Sequence, residues 1–164
     1  MLAGAAAGLA IAGTTSPSTL ILFGAAAAIP DLDLLFGSHR GPSHSVGAAA
    51  IAGVVGWLIW RPSSSRSRDR SRPGRLRFAC ALAVAYATHI LLDWVSADTT
   101  PPIGLMALWP LTDDYHASPL RIFLPISRRY WLAESWLLNL RALTRELLIL
   151  GPLLWIAAWV RGRR

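Results

Sequence analysis

The sequence contains one cysteine, Cys80, and all sixteen of its basic residues are arginine, so it has no lysine. A single cysteine cannot form a disulfide within the chain. A structural zinc site built from several thiolates is excluded for the same reason. Because Cys80 lies in an apolar run, we expect it to be a small buried packing residue.

Charged residues are also scarce, at 15% of the chain, whereas 54% is hydrophobic and the mean hydropathy is +0.43. This balance is typical of integral membrane proteins rather than soluble ones. A chain of 164 residues is long enough for one domain and too short for two separate cores. We therefore predict a single membrane-embedded domain over residues 1–164, an all-α bundle of about four to five apolar segments.

The arginines that produce the formal charge of +7 are concentrated in two places. Seven lie in the serine-rich stretch 61–77, and three end the chain at Arg161, Arg163 and Arg164. Both groups adjoin apolar segments, a pattern that keeps arginine-rich loops in the cytoplasm. It favours a membrane-orienting role over a nucleic-acid or anionic-lipid patch. We predict a disordered loop at 61–77, with this loop and the C-terminus cytoplasmic, and no nucleic-acid partner.

The apolar segments are residues 2–29, 46–60, 78–95 and 132–160. A span of the hydrocarbon core needs about 20 residues, and Pro17 breaks the first segment into two shorter halves. Residues 2–29 are therefore either one helix kinked at Pro17 or a hairpin of two half-length helices. A secretory signal peptide is disfavoured because the segment has no basic residue before it and leads directly into polar sequence.

Two polar clusters interrupt these apolar segments. Residues 29–45 carry two aspartates and two histidines, and His89 and Asp93 follow at i, i+4 spacing, which puts both on one helix face. Ionisable groups at membrane depth are costly to desolvate and indicate function. Both clusters lie at the segment ends away from the arginine-rich loop, so topology brings them to one membrane face. We predict one metal site there, with these candidate ligands: Asp31, Asp33, His44, His89 and Asp93.

Imidazole nitrogen and carboxylate oxygen together suit Zn²⁺ or a neighbouring divalent ion. The number of candidate ligands exceeds what one catalytic zinc uses, so we expect one or more ions. A divalent metal lowers the pKa of its water toward 7, which indicates hydrolysis of a phosphoester or similar bond.

Several neighbouring polar residues have more than one interpretation. His39 is a further ligand or a proton shuttle, and Arg40 either holds an anionic substrate group or pairs with Asp33. Ser45 beside His44 is better explained as a helix cap than as a nucleophile. Three later residues are expected in a solvated loop, although they could extend the site: Asp113, Asp114 and His116.

The segments Pro30-Asp31-Leu32-Asp33, His39 to Ser45, His89 to Asp93 and Leu108-Trp109-Pro110 resemble, in this order, the motifs of a bacterial family. This family is the LexA-regulated, membrane-bound metal-dependent hydrolases, or YdjM-like proteins. The similarity runs from about residue 20 to about residue 110. One departure is that family members usually carry a histidine about four residues before a glycine of the first helix, whereas no histidine precedes Gly4.

The resemblance implies that the five candidate ligands match the family's metal-binding positions, with His39 and Arg40 in the same motif. The family is also distantly similar to zinc-dependent phospholipase C and P1 nuclease, which favours a phosphodiester substrate. We therefore expect a multi-pass hydrolase of the bacterial inner membrane, acting on a lipid-linked or small-molecule phosphoester, with membrane lipid as its partner. The alternative is a non-catalytic membrane protein whose metal site is structural or regulatory.

Overall fold

A computed structural model of the chain describes residues 2–13, 17–36, 39–60, 74–127, 129 and 131–162. Within these ranges the chain forms five α-helices, two 3-10 helices and no strand, with only isolated bridges between extended residues. The all-helical class is therefore confirmed. The α-helices are α1 (Leu2–Ala12), α2 (Pro17–Ala26), α3 (Val46–Ile59), α4 (Arg75–Trp94) and α5 (Ala133–Gly162), and the 3-10 helices are Ile29–Phe36 and Pro42–His44.

The first two helices form an antiparallel hairpin rather than one kinked helix. Gly4 lies against Ala27 and Gly8 against Phe23, so closely that added Cβ atoms would be 2.4 Å and 2.5 Å from these side chains. α1 is followed by Gly13, whose φ of +72° is a conformation that suits glycine. Of the two interpretations of residues 2–29, the hairpin is correct.

Helix α4 is the centre of the bundle and packs against α1, α2 and α3. Alanines and glycines make close approach possible, because the Cβ of a residue at Gly53 would be only 3.0 Å from that of Ala83. Seven α4 residues are buried, whereas Cys80 is exposed. The expectation of a buried Cys80 was wrong, because it lies on the face of α4 that no other described helix covers.

Among the described helices, α4 is the one that is by itself long and apolar enough to cross a membrane. Helix α2 and the 3-10 helix Ile29–Phe36 meet this criterion only as a pair bent by 42°. Because α4 begins at Arg75, residues 75–77 are helical and not part of a disordered loop. The rest of the predicted loop, residues 61–73, lies outside the described residues.

The chain between α4 and α5 is folded against the bundle. Its ends are held together by two hydrogen bonds, from the Ile122 N–H to the Val95 carbonyl (2.7 Å) and from the Ala97 N–H to the Phe123 carbonyl (2.9 Å). Further along, Leu105 and His116 exchange backbone hydrogen bonds of 3.1 Å and 2.9 Å. These pairings make residues 95–123 a closed loop, which we call the capping loop.

The capping loop is attached to the segment that precedes α3. The Met106 N–H donates to the Arg40 carbonyl (3.0 Å), and the Val46 N–H donates to the Ala107 carbonyl (2.9 Å). A Cβ at Gly47 would lie 2.4 Å from the Trp109 carbonyl oxygen, so only glycine fits there without movement. The tryptophan-proline motif is therefore packed directly beside the histidine-rich segment 39–45.

Candidate metal centre

Three structural elements bring the ionisable residues together at one end of α4. Tyr86, His89 and Asp93 lie on the same face of that helix, and the Tyr86 hydroxyl donates to the Ser43 carbonyl (2.7 Å). This hydrogen bond holds the second 3-10 helix, with His44, against α4. Ser45 then caps α3 by accepting from the Ala48 N–H (3.0 Å), as expected, and donates to the Pro42 carbonyl (2.6 Å). Its hydroxyl is therefore committed to the backbone.

Four of the five candidate ligands converge on a common point. His89 Nε2 lies 3.4 Å from Asp31 Oδ1 and 3.7 Å from Asp93 Oδ2, and His44 Nε2 lies 3.3 Å from the same Asp93 oxygen. The ligand atoms of Asp31, His44 and His89 all lie within 4.8 Å of one another. The two clusters separated in sequence thus form one site.

Three of these atoms are buried without a hydrogen-bond partner among the described residues: His44 Nε2, His89 Nε2 and Asp93 Oδ2. Buried polar atoms are almost always paired, and leaving one unpaired costs about 1–3 kcal/mol. Two imidazole nitrogens and carboxylate oxygens that face each other in this way match the ligand set of a divalent transition metal. The residues present therefore could hold a metal ion.

Asp33 occupies a different place from the other candidate ligands. Its Oδ2 accepts from the Arg40 N–H (3.0 Å) and the Ser43 hydroxyl (2.8 Å), and lies 3.0 Å from Nδ1 of His44. Its Oδ1 lies 3.1 Å from Nδ1 of His39. Asp33, His39 and His44 form a second group whose ligand atoms are all within 4.8 Å. Asp33 therefore contacts the nitrogen of His44 that points away from Asp93.

Arg40 pairs with carboxylates, but the pairing with Asp33, one of its two interpretations, is not the one that its side chain makes. Its Nη1 is 3.0 Å from Asp98 Oδ2, and its Nε is 3.5 Å from Asp93 Oδ2. Only its backbone N–H contacts Asp33. The φ of Arg40 is +64°, in a region that non-glycine residues rarely adopt, and such strain is typical of functional sites.

Asp98 is a site residue that the sequence analysis did not identify. Burial raises its pKa, but the N–H groups of Gly104 and Thr100 and the charge of Arg40 outweigh burial and hold the pKa below the usual value. Asp98 is therefore charged at neutral pH and fixes the Arg40 guanidinium. The available signal was Arg40 itself, since a partly buried arginine needs carboxylate partners.

The three residues expected in a solvated loop divide into two groups. Asp113 and Asp114 are exposed, and Asp114 accepts from the Thr112 hydroxyl (2.6 Å). His116 is instead partly buried, and it lines a pocket between the capping loop and the end of α4 that also includes Arg40 and Asp93. His116 thus borders the site.

No curated protein and no solved structure matches the chain. A family model described as YdjM inner membrane protein matches residues 1–163, nearly the whole chain. The motifs that suggested this family include the residues that form the centre. The chain belongs to the YdjM inner membrane protein family.

Proposed function

We propose that this protein is a metal-dependent hydrolase of the inner membrane that acts on a phosphoester, either lipid-linked or small. The observation that supports it best is the convergence of His44 Nε2, His89 Nε2 and Asp93 Oδ2, three buried atoms without hydrogen-bond partners among the described residues. Asp31 completes the set from the surface side, with its side chain 49% exposed. Such a centre has one open side, as hydrolytic metal sites require.

The residues that would hold Zn²⁺ or a similar ion are His44, His89, Asp31 and Asp93. When bound, a divalent cation supplies Lewis acidity and makes water a stronger nucleophile near neutral pH. Asp33 holds Nδ1 of His44, so that Nε2 faces the centre, as carboxylates commonly do for ligating histidines. A second ion at Asp33, His39 and His44 is the alternative role of that group.

Two further residues have proposed roles in the reaction. His39 is 19% exposed and contacts Asp33, so it can accept a proton from the site and pass it to solvent. The Arg40 guanidinium, fixed by Asp98 and Asp93, provides positive charge at the rim of the centre. This charge would stabilise the anionic group of a substrate.

The proposed arrangement in the membrane is a multi-pass bundle with the metal centre at the extracytoplasmic edge. The exposed apolar side chains of α3 and α5 support it, since α5 alone exposes Trp136, Leu140 and Leu148. We propose a cytoplasmic position for the arginine-rich sequence before α4 and for the C-terminus. In cells producing Cys80→Ser protein, an impermeant thiol reagent should label Asp113→Cys but not Arg77→Cys. The reverse pattern would invert this orientation.

Metal analysis of the full-length protein in detergent tests the centre. We expect about one zinc per chain after reconstitution, and none when His89→Ala is combined with Asp93→Ala. The control, Asp113→Ala with Asp114→Ala, removes two exposed carboxylates and should keep its zinc. Two ions per chain would favour the binuclear alternative, and equal zinc in all three proteins would contradict the proposal.

Hydrolysis separates an enzyme from a structural metal site. The zinc-loaded protein should release nitrophenol from bis(4-nitrophenyl) phosphate, and the doubly substituted protein should not. A protein that binds zinc tightly but hydrolyses neither this ester nor phospholipids would favour the structural or regulatory alternative.

A further inference from the structure

A polar pocket adjoins the metal centre on the side of Asp93 that faces the capping loop. Arg40 and Asp93 belong to both the centre and the pocket. The remaining walls come from the end of α4 and from the capping loop, including Ser96, Asp98, His116 and Arg121. The cavity volume is about 20 Å³, so a ligand group that enters it must be small.

The charges around this pocket are unevenly matched. Asp98 and Asp93 both pair with Arg40. Arg121 has no carboxylate partner within the described part of the chain, and the buried Nε2 of His116 has no hydrogen-bond partner there. If Asp93 also neutralises a metal ion, the pocket has excess positive charge. The Arg121 guanidinium is a donor, and His116 Nε2 is a second donor in the tautomer that carries its hydrogen there, so the two groups suit an anion.

Arg121 is held at the pocket by a constrained backbone. Its φ is +44°, so Arg40 and Arg121 are the two non-glycine residues with positive φ in the described chain. The next residue donates its N–H to Val95 (2.7 Å), and Leu120 donates to the Ser118 hydroxyl (3.2 Å). Arg121 is an exposed residue whose backbone is fixed on both sides, and strained backbone of this kind is found at functional sites.

We infer that this pocket binds the phosphate group of the substrate, with Arg121 and His116 as its donors and Arg40 as its wall toward the metal. The inference rests on the proposed function and names the subsite that would hold the phosphate of its substrate. Guanidinium groups match phosphate geometry by paired hydrogen bonds. The pocket begins at Trp94, the last residue of the membrane-length helix α4, and in the proposed membrane arrangement this places it at the level of lipid headgroups. The phosphate is accordingly that of a lipid headgroup or of a soluble ester.

Phosphate binding to the full-length protein in detergent tests this inference. Titration calorimetry with inorganic phosphate and with dihexanoyl phosphatidic acid gives affinities for zinc-loaded and zinc-free protein. We expect Arg121→Ala and His116→Ala each to weaken phosphate binding by about tenfold. Arg129→Ala, an exposed arginine outside the pocket, should leave binding unchanged. All variants should retain the zinc content of the unsubstituted protein, since neither Arg121 nor His116 is a proposed ligand.

The outcomes separate this inference from the proposed function. Normal zinc content with phosphate affinity that does not depend on Arg121 would overturn the inference alone. Phosphate binding that depends on Arg121 in a chain that never binds zinc would support the pocket and overturn the metal centre. Tighter binding of phosphatidic acid than of inorganic phosphate would support a lipid headgroup, and equal binding would support a soluble ester.

Discussion

Replacing Asp33 with asparagine distinguishes a residue that positions His44 from a residue that binds metal directly. Asparagine has nearly the same shape, and its carbonyl oxygen can still accept from the Arg40 N–H and the Ser43 hydroxyl. What it loses is the negative charge 3.0 Å from His44 Nδ1. The substitution therefore changes the electrostatics of His44 while leaving most of the local hydrogen bonding in place.

The expected effect follows from the contact between Asp33 and the non-ligating nitrogen of His44. Removing the partner of a ligating histidine lowers metal affinity by about 10–100-fold, or about 1.4–2.7 kcal/mol. Removing a ligand such as His89 should lower affinity much further. Zinc affinity is measured on full-length protein in detergent, by competition with a chromogenic chelator.

Two controls make the Asp33 result interpretable. Asp114→Asn alters an exposed aspartate that contacts only Thr112 in the described structure, and its zinc affinity should be unchanged. The unfolding temperature of zinc-free Asp33→Asn should match that of the zinc-free parent, which excludes general damage. A loss of zinc as severe as in His89→Ala would make Asp33 a direct ligand, and an unchanged affinity would refute the positioning role.

Three further predictions concern the packing and charge around the centre. Gly47→Ala places a Cβ 2.4 Å from the Trp109 carbonyl oxygen. We therefore expect the free energy of unfolding to fall by about 1–3 kcal/mol and the unfolding temperature by about 2–12 °C. The control, Gly24→Ala, has nothing within 4 Å of its new Cβ and should unfold at the parent's temperature. Tyr86→Phe removes the hydrogen bond to the Ser43 carbonyl and should lower the free energy of unfolding, measured by thermal unfolding, by about 0.5–1.5 kcal/mol. An unchanged unfolding temperature would show that this hydrogen bond does not stabilise the fold. Because the folded-state pKa of Asp98 lies below its ordinary 3.8, its pairing stabilises the fold above that pH and is lost as pH falls through the folded value. The parent should therefore exceed Asp98→Asn in free energy of unfolding by the largest amount at pH 6, and this difference should shrink in acid when both proteins are unfolded thermally. A difference that grows in acid would contradict the stabilising role of charged Asp98.

The sequence predicted the centre better than it predicted the surroundings of the centre. Spacing alone put His89 and Asp93 on one helix face, and alternation of apolar and basic segments put both clusters at one end. These features depend on local periodicity and chain direction, which can be read from one sequence. Whether the predicted ligands hold a metal stays a prediction.

The capping loop could not be predicted because its contacts are not local. Asp33, seven residues away, was one of two partners considered for Arg40, the other being an anionic substrate group, but the Arg40 side chain pairs with Asp98. Asp98 reaches it only because backbone hydrogen bonds fold residues 95–123 back onto the segment before α3. His116 was expected in solvent for the same reason, since nothing in its neighbourhood in sequence indicates the Leu105 pairing that buries its Nε2.

The two arginines at the rim show how this folding serves the proposed chemistry. A guanidinium near a metal centre is repelled by the cation unless carboxylates balance it, and Arg40 has two of them. Arg121, on the other wall of the pocket, has none in the described structure. Balanced charge on Arg40 would leave the centre able to bind a cation, and unbalanced charge on Arg121 would leave the pocket able to bind an anion. The proposed site would hold both a metal and a phosphate, and the capping loop, which supplies both Asp98 and Arg121, would provide this division of charge.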